Sequence, residues 1–326
     1  MINAAIVGLG RWGQVLVRAV HGKSDRLRFV RGVTRTPSKA EAFSAETGIP
    51  VDSDYAALLA DPEIDAVVLA TPHSQHVGQI VEAAGAGKHI FCEKPLALEA
   101  SGAAEAFDAC DSAGVLLAVG QNRRFLPACL RLREMVTDGT LGTILHIEAN
   151  FSGPSGYKHQ SSTWRASDEE SPAGGMTGKG LHMTDLMIDL LGPIAEVDAR
   201  SIRQVLPAGL DDTTAMLFRF RDGGTGYLGT MTATPDDWRF QVYGSKGWAE
   251  VRRERVLTTS LLEGGTVTTE TFDNSAMERA VLEAFADAME GGSAFPVSRE
   301  QAIANVALLQ AIVRSAASAG PEPVTF

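Results

Sequence analysis

Gly8, Gly10 and Gly13 stand in GxGxxG spacing directly after the apolar run Ala4 to Val7 and at the mouth of the helical pattern Trp12 to Val20. No other feature restricts the fold as strongly. The first glycine of such a turn permits a tight bend, the second lets backbone approach a pyrophosphate, and the third lets helix pack closely on strand. The helix amino terminus then faces the phosphates with unpaired N–H groups. Gly8, Leu9, Gly10, Arg11, Trp12 and Gly13 are therefore predicted to form a dinucleotide-binding turn.

The rhythm that follows supports a doubly wound α/β domain. Apolar runs at Leu27 to Val33, Ala66 to Ala70, His89 to Cys92 and Leu116 to Val119 alternate with helical patterns at Ser38 to Thr47, Tyr55 to Ala60, Gln75 to Ala86 and Ala100 to Ala113. Alternation of this kind builds a parallel sheet. A Rossmann domain is expected over residues 1–122, and an α+β domain with a large open-faced antiparallel sheet over 123–326. In the later part, β runs are read at Ile144 to Phe151, Val197 to Val205, Thr213 to Phe220, Thr225 to Thr232, Arg239 to Tyr243 and Thr266 to Phe272. Asp222-Gly223-Gly224 marks a hairpin. A helix is expected from Leu181 to the Gly192-Pro193 stop, and two more close the chain behind capping-box patterns, Ser275 with Glu278 and Ser298 with Gln301. The Gly- and Ser-rich segment from Ser152 to Gly180 is the one long irregular stretch, and ordered loops of that length are usually functional.

Composition limits the classes of function. The 326 residues are 44% hydrophobic, enough for two cores. No stretch approaches the roughly 18 apolar residues of a membrane span, and the first strand leaves no room for a signal peptide, so a cytoplasmic protein is expected. Cys92, Cys110 and Cys129 have neither CxxC spacing nor an even count, which argues against disulfides and structural zinc. With 29 Lys plus Arg against 40 Asp plus Glu, the net charge of −11 disfavours nucleic acid and anionic membrane as partners.

Cofactor choice is decided at the end of the second strand, where an acidic residue about 20 positions past the glycines would grip the ribose of NAD. Thr34 stands there, followed by Arg35, Ser38 and Lys39. A hydroxyl and two cations suit a 2′-phosphate held by charge-assisted hydrogen bonds. NADP is the predicted cofactor and NAD the alternative; the competing reading makes Arg35 and Lys39 solvated charges at the start of a surface helix.

Three further segments resemble the signature set of the Gfo/Idh/MocA oxidoreductases: Thr71-Pro72-His73 with His76, Glu93-Lys94-Pro95 after the fifth strand, and Gly120-Gln121-Asn122-Arg123-Arg124-Phe125. Ala173-Gly174-Gly175 and Gly180-Leu181-His182-Met183-Thr184-Asp185 are similar to the family's second-domain motif, so the likeness spans nearly the whole chain. It implies a nicotinamide and a polyol or sugar meeting in a cleft between a Rossmann domain and an open-faced sheet domain. It also implies Lys94 as the catalytic lysine, His182 as the second proton-handling residue, and Thr71, Pro72, Glu93 and Asn122, with His76, on the nicotinamide side; Arg123 falls with the substrate-binding residues. The chemistry is consistent: hydride transfer at a carbinol carbon leaves the hydroxyl proton for the protein to move, and a lysine does so when burial and a nearby cation lower its pKa.

Where many members carry an acidic residue four positions before the histidine, this chain has Gly178, with Lys179 next. Lys179 either adds a cation for an anionic or carboxylated sugar or turns outward while Gly178 makes room for a larger substrate. In the long loop, Tyr157, Lys158, His159, Trp164 and Arg165 are polar candidates, and Trp164-Arg165 resembles a pair in family substrate loops where indole covers a sugar face. His182, Asp185 and Asp189 share one helical stripe, but no second histidine lies at i+4, so no metal is expected.

The expected activity is an NADP-dependent oxidoreductase acting on a CH–OH group of a sugar or cyclitol. Two alternatives stand beside it: a non-catalytic dinucleotide-binding sensor or regulator, and a glycosidase that keeps its dinucleotide bound. An antiparallel sheet with one open face predicts a homodimer or homotetramer formed through that sheet.

Overall fold

The computed structural model describes all residues except 159–163 and 208. His159 lies outside the described residues. The chain divides into two compact units, the first formed by Met1–Ala97, Ser101–Asn122 and Ala276–Arg299 and the second by Leu98–Ala100, Arg123–Ser275 and Glu300–Phe326.

In the first unit, β1 (Ile2–Val7), β2 (Leu27–Val33), β3 (Val51–Asp52), β4 (Ala66–Leu69), β5 (His89–Cys92) and β6 (Leu117–Val119) form one parallel sheet in the order β3-β2-β1-β4-β5-β6. The helices α1 (Arg11–Val20), α2 (Glu41–Thr47), α3 (Tyr55–Leu59), α4 (His76–Gly85) and α5 (Ala100–Ala113) supply the crossovers. Every residue of β4 is buried, as befits a central strand covered on both faces. The strand order reverses between β1 and β4, which is where doubly wound sheets open a crevice at their carboxyl edge.

A boundary after residue 122 assigns everything later to the second domain, yet Ala276–Arg299 clusters with the first unit. The reason is packing. α8 (Met277–Met289) sets Phe285 against Phe91 of β5, ring centres 5.8 Å apart, and Asp287 accepts from Arg26 at 2.8 Å. The expected capping box at Ser275 does not form: the Ser275 hydroxyl donates to Asp273 at 2.8 Å, and Ala276 occupies the cap position.

In the second unit, α6 (Pro127–Thr137), β7 (Ile144–Ser152), α7 (Leu181–Leu191), β8 (Ile194–Ile202), β9 (Thr213–Phe220), β10 (Thr225–Met231), β11 (Asp237–Gly244), β12 (Gly247–Arg252), β13 (Val256–Leu261), β14 (Val267–Thr271), α9 (Arg299–Ser318) and β15 (Pro321–Pro323) follow in order. Among the described residues the strands make one nine-stranded sheet, β14-β13-β12-β11-β7-β10-β9-β8-β15. It is mixed rather than wholly antiparallel, because β7 and β10 run parallel while the other pairs are antiparallel. Burial alternates as a half-covered sheet requires: Thr214, Met216, Phe218 and Phe220 of β9 face the core, and Leu217 stands on the other face.

α6, β12, β13 and the short strands β3 and β15 are absent from the sequence reading. α6 is hidden in the pattern because Arg131, Arg133 and Glu134 interrupt its apolar face; Ala128, Cys129, Leu132 and Met135 nevertheless share one buried stripe. β12 and β13 lack a glycine turn between them, since Arg253 and Glu254 themselves take positive φ of 52° and 60°. Positive φ at two successive non-glycine residues leaves no turn signature in the sequence.

Candidate active site

The register of the first sheet aligns Val7, Val33, Leu69, Cys92 and Val119 across five strands. The residues that follow each of them leave the sheet along one edge: Gly8, Thr34, Ala70-Thr71, Glu93-Lys94 and Gly120-Gln121-Asn122. The ladder continues one step past the strands, with Gly8 N–H donating to Val33 O at 2.8 Å, Ala70 to Val7 at 2.8 Å, Glu93 to Leu69 at 3.0 Å and Gly120 to Cys92 at 2.8 Å. Residues far apart in sequence are thus held at one level by backbone pairing alone.

Each glycine of the turn has its own reason. Gly8 has φ of +97°, and a β-carbon there would lie 2.6 Å from Ala70 O; one on Gly13 would overlap the carbonyl oxygen of Gly8. Gly10 is different, for its φ of −68° suits any residue and no protein atom lies within 4 Å of a β-carbon built on it. The fold does not require that glycine, and the open space above it fits the close approach of a dinucleotide phosphate. Leu9 is buried, Arg11 is exposed, and the indole N–H of Trp12 is buried without a hydrogen-bond acceptor.

Thr34 continues the β2 edge with its N–H on Asp52 O, while Arg35, Ser38 and Lys39 lie beyond it, all three exposed, with Ser38 and Lys39 in the turn that follows. Among the described residues neither Arg35 nor Lys39 has an ion-pair partner. The carboxylate of Asp52, at the end of the neighbouring strand, is engaged by Arg31 at 2.8 Å. This donor set fits a 2′-phosphate.

At the β4 edge, the Thr71 hydroxyl donates to Gln79 at 2.6 Å and Pro72 is half-buried. His76 is fully buried, and its ring nitrogens lie 2.8 Å from Pro95 O and 3.2 Å from Thr71 O. His76 thus joins the Thr71 turn to the Lys94-Pro95 segment. The Lys94-Pro95 bond is cis. Glu93 is buried beside Gly120, where a β-carbon would meet Glu93 Oε1 at 3.0 Å, so glycine there makes room for the carboxylate. Lys94 is half-buried, and Asn122 is buried at the end of the β6 edge.

In the second unit, a π-helical turn at Met176–Gly180 runs into α7 and delivers His182 in its first turn. The turn begins where Ala173 and Gly174 both take φ of +56°, and a side chain on Gly174 would collide with the Asp211 carbonyl. α7 is fixed by buried polar contacts. Thr184 donates to Asn305 at 2.6 Å, Asn305 donates to Leu181 O at 3.1 Å, and Arg124 holds both oxygens of Asp185 at 2.7 Å and Asp189 at 2.9 Å. The Asp185 and Asp189 carboxylates thus face a guanidinium.

The ring of Phe151, at the end of β7, gathers three nitrogen groups. Arg123 lies 5.4 Å and Lys179 5.3 Å from its centre, and the His182 ring centre lies 6.2 Å away. Arg123 also pairs with Glu254 at 3.0 Å. Lys179 is exposed along part of its length, yet its ammonium is packed over the ring instead of turned outward; burial pushes that ammonium below the ordinary lysine range, with Asp236 opposing and Lys158 adding to the shift. The sequence gives no sign of Phe151, Asp236 and Glu254, because nothing local marks a strand-end aromatic or a turn residue as a partner of residue 123 or 179. Tyr157 is exposed, with its hydroxyl 3.4 Å from Ala233 O, and the Arg165 guanidinium lies 4.1 Å from the centre of the Trp164 ring.

Residues 2–121 match the family described as oxidoreductase, NAD-binding Rossmann fold, and residues 129–250 match the GFO/IDH/MocA C-terminal domain. The D-xylose 1-dehydrogenase (NADP(+)) 2 of Haloferax volcanii is 31% identical over 292 residues, covering 87% of this chain and 88% of that protein. The inositol 2-dehydrogenase of Rhizobium meliloti is 29% identical, covering 97% of each chain. Among solved structures, the WlbA dehydrogenase of Bordetella pertussis in complex with NADH and UDP-GlcNAcA superposes with a TM-score of 0.87 at 25% identity, covering 100% of this chain and 98% of that one.

Proposed function

Because the chain belongs to the Gfo/Idh/MocA family of NAD-binding oxidoreductases, we propose that it is an NADP(H)-dependent enzyme moving hydride to or from a carbinol or ketone carbon of a sugar or cyclitol. The observation that carries this reading is the single edge along which the glycine turn, Thr34, Thr71-Pro72, Glu93-Lys94 and Asn122 follow five registered strands. Gly8 to Gly13 would hold the pyrophosphate, Arg35, Ser38 and Lys39 the 2′-phosphate, and Thr71, Pro72, Glu93 and Asn122 the nicotinamide end.

When bound, the nicotinamide supplies the hydride acceptor or donor. Lys94 Nζ takes the hydroxyl proton during oxidation and returns it during reduction, and His182 assists that transfer. A lysine suits the task because partial burial disfavours its charged form, so it can receive a proton as a base. Tyr157, Trp164, Arg165 and Arg123 bind sugar hydroxyls, the indole offering a flat apolar face. The second sheet alternates buried and outward residues, and its outward face would be the one through which a homodimer or homotetramer assembles.

The test is a titration of stripped protein with NADPH and NADH, followed by nicotinamide fluorescence, with sugars, cyclitols and keto-sugars then added. Turnover with NADP(H) that disappears in Lys94→Ala while dinucleotide binding persists supports the reading. Binding without turnover across the panel would identify a dinucleotide sensor instead, and release of free sugar from a glycoside without cofactor exchange would identify a glycosidase.

A further inference from the structure

Lys179 and Asp236 face each other across Gly153 without closing into an ion pair. A β-carbon built on Gly153 would lie 2.6 Å from Lys179 Nζ and would collide with Asp236 Oδ1, so the missing side chain is what lets the two groups approach. The ammonium is held back by the Phe151 ring, whose centre lies 5.3 Å from Nζ and attracts the cation. Of the charges near Lys179, Asp236 acts most strongly and favours the ammonium, ahead of Lys158. Lys179 therefore has its counter-charge, at a distance. That distance exceeds the 4.0 Å of an ion pair and is at most about 4.9 Å, and two hydrogen bonds of about 2.8 Å meeting at a tetrahedral oxygen span about 4.6 Å. The gap thus has the width of one oxygen bonded to both groups. Nothing packs within 4 Å of a β-carbon built on Gly178, and His182 lies on the same Phe151 ring, so the gap is open beside the histidine in the second unit.

An atom in that gap must accept from an ammonium and donate to a carboxylate at once. Among the common substituents of a sugar a hydroxyl does both, whereas a carboxylate or carbonyl only accepts, an ammonium only donates and a hydrogen does neither. Each of those leaves one charged partner unpaired. We propose that Lys179 and Asp236 clamp one hydroxyl of the substrate, so that the site selects neutral polyhydroxylated molecules carrying a hydroxyl besides the one that reacts. The proposal rests on the preceding reading for the reaction itself. A sugar acid that brought its carboxylate to Lys179 would meet Asp236 as well, and an amino sugar that brought its ammonium to Asp236 would meet Lys179; the pair therefore disfavours either charge.

The experiment measures binding by calorimetry, with and without saturating NADP⁺, for D-xylose, D-glucose, D-galactose and myo-inositol, for their monodeoxy analogues, and for glucuronate and glucosamine. At least one neutral polyol should bind, and one of its deoxy analogues should bind about tenfold or more weakly, the effect of one charge-assisted contact. Lys179→Met and Asp236→Ala should each weaken the parent polyol and leave that deoxy analogue unchanged, so that the penalty disappears. Asp236→Asn, which keeps an acceptor oxygen, should retain part of it, and Gly153→Ala, whose methyl group would stand in the gap, should erase it. A merely structural role would instead weaken every analogue alike. Binding of none of the four polyols, no deoxy penalty of that size, a penalty that survives Lys179→Met or Asp236→Ala, an equal loss for every analogue, or tighter binding of glucuronate or glucosamine than of glucose would each overturn the proposal. Its failure is distinct from failure of the oxidoreductase reading: turnover of sugars without a clamp-dependent penalty overturns only the clamp, whereas clamp-dependent binding without hydride transfer overturns only the reaction.

Discussion

The α-carbon of Gly13 faces the carbonyl oxygen of Gly8 with no room for a methyl group between them. α1 is thereby seated on the turn that follows β1, and the glycine is a packing requirement of the fold. Gly10, two residues past Gly8, has open space where a side chain would go. The same motif therefore separates into a structural and a ligand-facing part. Gly13→Ala should destabilise the protein by about 1–3 kcal/mol, the usual cost of overpacking, seen as a lower urea midpoint. Gly10→Ala should unfold like the parent and bind NADPH more weakly; unaltered NADPH affinity in a well-folded Gly10→Ala protein would remove the phosphates from this turn.

Arg35 and Lys39 have no carboxylate paired with either among the described residues. Charge-assisted hydrogen bonds contribute roughly 1.5–3 kcal/mol, so Arg35→Asp should weaken NADPH binding by about one to two orders of magnitude and improve NADH binding. Fluorescence titration of both nucleotides reads the ratio directly. An unchanged ratio would return Arg35 to the solvated surface.

Lys94 emerges beside buried Glu93 at the edge of β5. General acid–base catalysis is worth about 10²–10⁴-fold, and Lys94→Ala should lose that much in kcat while still binding dinucleotide. His182→Asn, removing the assisting group, should cost less. Single-turnover hydride transfer monitored at the nicotinamide absorbance distinguishes the two; a larger loss at His182 would exchange their roles.

Legibility in the sequence follows how local each cause is. The strands of the first sheet are short apolar runs between turn signals, and in a parallel sheet the residues that follow the strands all leave at one edge, so alternation of strand and helix is enough to group Gly8, Thr34, Thr71, Glu93 and Asn122. The hairpin at Gly223-Gly224, with φ of 102° and 84°, is legible because glycine records its conformation locally. The turn at Arg253-Glu254 is not, since its conformation is imposed by pairing of β12 with β13 and no glycine marks it. The parallel pairing of β7 with β10 and the gathering of Arg123, Lys179 and His182 around Phe151 depend on topology, which a one-dimensional pattern does not carry. His76 is the converse case: its place in a family-like motif suggests a ligand contact, and both its ring nitrogens face backbone carbonyls.

Arg124 is a buried support for α7, its guanidinium reaching Asp185, Asp189 and Gln301 within 2.9 Å. Removing one member of a buried ionic group leaves uncompensated charge, which costs about 3–5 kcal/mol. Arg124→Met should lower stability by that amount, and Arg124→Lys should recover only part, because an ammonium cannot grip both oxygens of Asp185 side-on. Urea unfolding of the two variants measures it. A stability loss below about 1 kcal/mol for Arg124→Met would show that solvent reaches the carboxylates.

Asp212 fastens the chain between β8 and β9 through one oxygen, Oδ2, which accepts the backbone N–H groups of Gln204 at 2.9 Å, Val205 at 2.6 Å and Leu206 at 3.1 Å, while Oδ1 accepts from Thr213. Burial alone would raise its pKa, but the donors from Val205, Leu206 and Gln204 prevail and hold the carboxyl below its ordinary 3.8. A carboxylate whose folded value is depressed binds fewer protons in the folded state than in the unfolded one. Its contribution is therefore present in full above pH 3.8 and is lost as pH falls through the lower folded value. Asp212→Ala leaves three backbone donors without their acceptor and should cost roughly 1–3 kcal/mol at neutral pH. Asp212→Asn keeps an acceptor oxygen without the charge, so it should lose less at neutral pH and flatten the acid limb of the stability curve below about pH 4. Chemical denaturation of the parent and both variants across that range checks the sign: an acid limb identical in parent and Asp212→Asn would mean that other carboxylates govern acid unfolding.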